Sequence, residues 1–216
     1  MTIRRGAELG AQIAELAVPQ GMLALWALGQ SGFVIKSSQT LAVIDPYLSD
    51  AIHSTGGPES CFPPPLEPDM LRGVDLILCT HEHPDHTDPV TLRPLLAASP
   101  DAQLVASAQS LKILEEAGID TGRARVPTLD ERYTIAGGDY RAIPAAHYAL
   151  EIEAQRSRWM GFVLRCGDIT LLHSGDTILV PEIIQALEGE QVDLALLPIN
   201  GRDYFREQQD LVGNLL

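Results

Sequence analysis

The sequence predicts a mixed α/β (α+β) chain in which two sheets pack face to face with helices outside. Three observations carry this. Two stretches of short apolar runs divided by turn residues, 22–46 and 139–176, read as β-meanders. Each is followed by β–α patterning, over 74–118 in the first half and 177–201 in the second. Two of the runs, VDLILCT (74–80) and VDLALLPING (192–201), are almost continuously apolar, as strands buried on both faces are.

The elements follow in order. GAELGAQIAELA (6–17) has helical spacing at Leu9, Ile13 and Leu16. MLALWAL (22–28), GFVIKS (32–37) and TLAVIDP (40–46) are strands that end at Asp45-Pro46. Residues 47–70, with five prolines and Gly56-Gly57, form a long loop of the kind that often carries function. After the strand 74–80 comes a helix over 88–99, with Asp88 as N-cap and Pro89 at its first position. QLVAS (103–107) is a strand and 108–118 a helix that stops at Gly118. In the second half 139–147, 159–167 and 168–176 are strands, 177–189 a helix and 192–201 a strand.

The 216 residues, 45% of them hydrophobic, suffice to bury a full core, and a single domain over 1–216 is expected. A net charge of −14 argues against nucleic acid or an anionic membrane as partner, but not against a small anionic substrate. Cys61, Cys79 and Cys166 form no CxxC pair and read as small buried hydrophobes in a reducing compartment. The N-terminus lacks a secretory apolar core and no run reaches membrane-spanning length, so the expected location is cytoplasmic.

The chemistry concentrates in THEHPDHTD (80–88), where His81, His83, Asp85 and His86 crowd one turn just past a buried strand. Neutral imidazoles and carboxylates suit first-row divalent cations, and a strand end gives them a rigid base. His81 and His83 alternate and can meet one ion, while Asp85 and His86 point to a second. His147, ending YRAIPAAH, and Asp176, in HSGDT, also stand where strands pass into loops, and a carboxylate there can bridge two cations. A solvated polar loop is the bland reading of the first motif alone; three clusters at strand ends make it a poor one. A closed structural zinc site fits worse, since such sites are rich in thiolate.

These motifs resemble the metallo-β-lactamase superfamily of hydrolases. THEHPDH matches its H-x-H-x-D-H motif, His147 its next ligand, and SGD at 174–176 its bridging aspartate. Asp45 in VIDP matches the aspartate that supports a ligating imidazole. WALGQSGFVIK, VIDPYLSD, LLHSGDT and LLPINGRD are similar to the ascorbate-6-phosphate lactonase-like group. The resemblance implies an αββα sandwich of two mixed sheets with metals at one edge. It implies two divalent ions, zinc or manganese, or iron. His81, His83 and His147 would hold one ion, Asp85 and His86 the other, and Asp176 would bridge. The superfamily's final C-terminal histidine has no counterpart after His173, so the C-terminal part of the fold is expected to be missing. An edge so exposed favours homo-oligomers.

Asp85 and Asp176 are the expected catalytic carboxylates of a hydrolase that uses a hydroxide activated by two metals, on a sugar lactone or related ester. His173 is read as a supporting residue rather than a ligand, and Tyr148, Asn200 and Arg202 as neighbours of the substrate. Arg202 can hold a phosphate or carboxylate, or pair with Asp203. A phosphodiesterase-type hydrolase, or a degenerate metal-binding protein without catalysis, are the alternatives.

Overall fold

The computed structural model describes residues 4–147 and 149–199. The chain divides into two compact units, Met1–Arg125 and Val126–Leu216, and each carries one five-stranded mixed sheet.

The first unit opens with α1 (Gly6–Glu15), whose Leu9 and Ile13 are buried. Leu16, expected on the helical stripe, instead caps the helix in extended conformation and is exposed. No glycine closes this helix. The Lys36 ammonium donates to the carbonyls of Ile13 (2.6 Å) and Ala14 (2.8 Å), acceptors that a helix end leaves without partners. The sheet runs β1 (Ala24–Gly29), β2 (Gly32–Lys36), β3 (Leu41–Ile44), β4 (Leu76–Leu78), β5 (Gln103–Val105), neighbours in that order. The first three strands pair antiparallel as a meander; β3–β4 and β4–β5 pair parallel.

The predicted long loop between β3 and β4 holds a one-turn helix, α2 (Ala51–Ser54), and a 3₁₀ turn at Pro68–Met70. α3 (Pro89–Ala98) crosses from β4 to β5 and α4 (Ala108–Glu116) follows β5. Asp88 caps α3 as predicted: its carboxylate accepts from Val90 N–H (3.0 Å) and Thr91 N–H (3.1 Å). At the end of α4, Gly118 takes φ +74°. Its N–H reaches Glu115 O (2.8 Å) and that of Ile119 reaches Leu114 O (2.9 Å), a Schellman closure that only a residue at home in left-handed backbone makes cheaply. Val34, Val43, Ile77, Leu92, Leu95 and Leu114 form the centre of one core.

The second unit's sheet has the order β12 (Leu194–Leu196), β11 (Ile169–His173), β10 (Met160–Cys166), β7 (Gly138–Pro144), β6 (Tyr133–Ile135). All pairs are antiparallel except β11–β12. A hairpin of β8 (Ile152–Glu153) and β9 (Arg156–Ser157) stands apart from the sheet. α5 (Pro181–Ala186) packs Ile183 against Ile143, Val163 and Leu172. Beside it, Glu190 gathers Arg132, Arg141 and Arg165, with Arg165 Nη2 at 2.8 Å. Burial alone would raise the Glu190 carboxyl, but the hydrogen bond from Arg165 and the charges of Arg132, Arg141 and Arg165 hold it below its ordinary value.

Several expectations need correction. The helix placed at 177–189 spans only Pro181–Ala186, because Thr177 is drawn into a hydrogen bond with Ala146 and the chain stays extended to Pro181. Of the strand expected at 192–201 the described residues form only β12, half-exposed rather than buried, since among the described residues it ends the strand order with a neighbour on one side. β6, β8 and β9 were not foreseen. Cys79 and Cys166 are buried, but Cys61 is exposed. No helix among the described residues is long and apolar enough to cross a membrane.

Candidate metal centre

In the first unit the site begins where β4 ends. Thr80 and His81 are fully buried just beyond Leu78, and the chain turns through His83–His86 on bonds from the His86 and Thr87 amides to His83 O (3.0 and 2.8 Å). Thr87 locks the turn: its hydroxyl lies 2.6 Å from His81 O and 3.0 Å from Ser110 Oγ on α4.

Asp45 is the centre of this network. It follows β3 at φ +44°, a left-handed backbone that Asp tolerates better than most side chains. Its Oδ1 accepts from Thr80 N–H (2.7 Å), and its Oδ2 accepts from Thr80 Oγ1 (2.7 Å) and faces His86 Nδ1 (2.8 Å). A buried carboxylate there selects the His86 tautomer with the proton on Nδ1, so Nε2 keeps its lone pair. Thr80 Oγ1, having donated to Asp45, accepts from His81 Nδ1 at 3.0 Å, which leaves His81 Nε2 as the acceptor nitrogen. His81 Nε2 in turn lies 3.0 Å from His83 Nδ1. Asp85 Oδ2 stands 3.8 Å from His86 Nε2, too far for a hydrogen bond.

Imidazole nitrogens and a carboxylate oxygen, oriented by outer partners and spaced 3.0–3.8 Å, fit a divalent cation whose bonds to N and O are about 2 Å long. The fit is for nitrogen and oxygen, not sulfur. Burial, with the Asp45 charge adding to it, pushes the Cys79 thiol far above its usual range, so it stays protonated.

In the second unit His147 and Asp176 come from different strand ends. Ala146 N–H donates to Thr177 Oγ1 (2.8 Å) and Ile178 N–H to Ala146 O (2.9 Å), which ties the segment after β7 to the segment after β11. His147 Nε2 and Asp176 Oδ2 then lie 3.8 Å apart, the same spacing as Asp85 and His86. The Trp159 ring meets His147 edge-on at 6.2 Å between centroids, and the Arg158 guanidinium lies 4.6 Å over that indole. His173 is buried at the end of β11, where its Nδ1 accepts from Gly175 N–H (3.2 Å) and shapes the Ser174–Asp176 turn.

The structure thus brings His81, His83, Asp85 and His86 together with Asp45 in the first unit, and His147 with Asp176 in the second. Tyr148, Asn200 and Arg202 lie outside the described residues. Sequence reasoning missed Thr80 and Thr87. Both flank the histidines in THEHPDHTD, and a hydroxyl at each end of a ligand turn was the available signal.

A family model described as "Beta-lactamase superfamily domain" matches residues 42–209. A UPF0173 metal-dependent hydrolase of Pyrococcus furiosus is 30% identical over 189 residues, which span 83% of this chain and 73% of that protein. Two solved structures are similar. One is isothiocyanate hydrolase from Delia radicum gut bacteria, with TM-score 0.62 and 19% identity, covering 90% of this chain and 76% of that one. The other is the metallo-beta-lactamase fold protein YhfI from Bacillus subtilis, with TM-score 0.57 and 14% identity, covering 93% and 75%. At such identities the structures speak for the fold alone. The chain carries the metallo-β-lactamase fold and belongs to the beta-lactamase superfamily, with the UPF0173 metal-dependent hydrolases among its relatives.

Proposed function

We propose that this chain is a metal-dependent hydrolase that opens a sugar lactone or related ester, using two divalent cations. The ligand set we assign is His81, His83, Asp85 and His86 from the first unit and His147 and Asp176 from the second. The observation that supports this is the Asp45–Thr80 network, which holds the two buried imidazoles of His81 and His86 by their Nδ1 atoms, as outer partners hold metal-ligating imidazoles. Such cations, when bound, lower the pKa of a coordinated water and polarise the attacked carbonyl. The residues do the rest. Asp85, partly exposed beside His86, accepts the proton of the attacking water and returns it to the ring oxygen as the acyl C–O bond breaks, giving a hydroxy acid.

The test is metal content per chain by elemental mass spectrometry, followed by a panel of sugar lactones, their phosphates and bis-p-nitrophenyl phosphate. About two transition-metal ions per chain and lactone turnover are expected. Phosphodiester turnover far above that of any lactone would replace this reading with a phosphodiesterase. Metal binding without turnover of any substrate would leave a non-catalytic metal protein.

A further inference from the structure

Asp45 has a second neighbourhood. Its carboxylate serves Thr80 and His86, while its backbone lies against the β1–β2 turn so closely that a Cβ on Gly32 would meet Asp45 O at 2.8 Å. Gly29 and Gln30 of that turn, and Tyr47 two residues past Asp45, line a cavity of about 150 Å³ closed by the 59–64 segment. The cavity therefore lies within the same unit as the histidine turn, with Asp45 between Tyr47 and the β1–β2 turn in the chain's packing.

The lining is mixed: Leu28, Phe62 and Pro64 give it apolar surface, and polar groups are set among them. Gln30, Tyr47, Ser49 and Ser60 offer neutral hydrogen-bonding groups, and Glu59 adds a carboxylate. Tyr47 Oη accepts from Ile52 N–H at 3.1 Å and Ser49 Oγ from Ala51 N–H at 3.1 Å, so both hydroxyls are held in place with an O–H to offer. Among the described residues no Lys, Arg or His lines it. Phe62 at the rim is 78% exposed and offers an aromatic face to a ligand ring. A space of about 150 Å³ takes one six-membered ring, and its open side leaves room for the ring's substituents.

We propose that this cavity is a subsite for an uncharged, hydroxyl-bearing ring: the sugar part of the substrate, stacked on Phe62, with its hydroxyls on Gln30, Ser49 and Glu59. This deepens the lactone reading and rests on it. It also narrows it, because a phosphate or carboxylate would face the Glu59 carboxylate with no cationic side chain among the described lining residues.

Cys61 supplies a test that needs neither metal nor turnover. It lines the cavity and is exposed, whereas Cys79 and Cys166 are buried, so iodoacetamide should alkylate it selectively. The full chain is alkylated with and without methyl α-D-glucopyranoside, glucose 6-phosphate or inorganic phosphate at matched concentration and ionic strength, and labelling is followed by peptide mass spectrometry. The uncharged glycoside is expected to slow Cys61 alkylation at least threefold, and the phosphates to leave it unchanged. In Phe62→Ser and Gln30→Ala the protection should disappear while the rate without sugar stays within twofold. An uncharged sugar that gives no protection, or glucose 6-phosphate that protects as well or better, overturns the proposal. Where a lactone is turned over, Phe62→Ser should raise KM about fivefold with kcat within twofold. If no lactone is turned over but protection is seen, the lactone reading fails and the subsite stands; turnover without protection gives the converse.

Discussion

In the first unit His81, His83, Asp85 and His86 stand on one turn, and His86 directly and His81 through Thr80 are referred to one anchor, Asp45. In the second unit His147 and Asp176 stand at the ends of separate strands and are brought side by side by two hydrogen bonds at Ala146, one to the Thr177 hydroxyl and one from the Ile178 N–H. The first arrangement is local in sequence and concentrated in its support. The second is dispersed, and it depends on the register of a whole sheet. Each half also keeps a glycine against its site. Gly32 abuts Asp45 O, and a Cβ on Gly161 would meet the carbonyls of His173 and Ser174 at 2.9 Å. A motif search finds the first half at once; the second is recognisable only when something already says where to look.

Damage to the histidine turn or to its anchor Asp45 should therefore be felt as lost metal, and damage to the supports of the second half, Thr177 and Gly161, chiefly as lost stability. The largest effect is expected for His81→Ala, which removes a fully buried ligand. Metal content should fall and hydrolysis drop below detection, with an unchanged far-ultraviolet circular dichroism spectrum. Asp45→Ala comes next: it leaves every proposed ligand in place but weakens metal affinity roughly 10- to 100-fold, read by chelator competition. Unaltered affinity in that variant would mean that Asp45 is not the anchor.

The second unit supplies the counterparts. Thr177→Val strands the buried Ala146 N–H and should cost about 1–3 kcal/mol in denaturant unfolding, with a smaller change in metal affinity than Asp45→Ala gives. Gly161→Ala should destabilise by about 1–3 kcal/mol, because the clash is with backbone that cannot step aside. The smallest effect is at Glu190. Its folded pKa is depressed, so its stabilisation is present above the unfolded value and fades as the pH falls through the folded one. Glu190→Gln should cost no more than about 1–2 kcal/mol at pH 7, since Arg132 and Arg165 are partly solvated. It should also flatten the loss of stability below about pH 4.3. An unchanged acid limb would remove Glu190 from the account.

What the sequence made legible follows the same division. The β4 run, the Asp88 cap, the Gly118 closure and the histidine motif are local, and each names its own structure. The β8–β9 hairpin did not announce itself because its turn is Ala154-Gln155, at φ +48° and +59°, where asparagine and glycine usually give the signal. β12 reads as buried because composition does not reveal a strand's place in the sheet order. The left-handed Asp45 and the Thr80 relay were hidden for another reason: sequence spacing can nominate a ligand, but which ring nitrogen carries the proton depends on partners that only the fold supplies.

Lys36 is one of only two lysines in the chain, and its ammonium closes the open end of α1. Amine chemistry is therefore not neutral towards this protein. Acylating reagents would abolish the charge and unlace the first helix, while Lys112, exposed on α4, would take the same group as mere decoration. Reductive methylation keeps the charge and would spare the helix. A surface coupling or cross-linking protocol chosen without regard to that difference would report the fate of α1 in place of the property it was meant to measure.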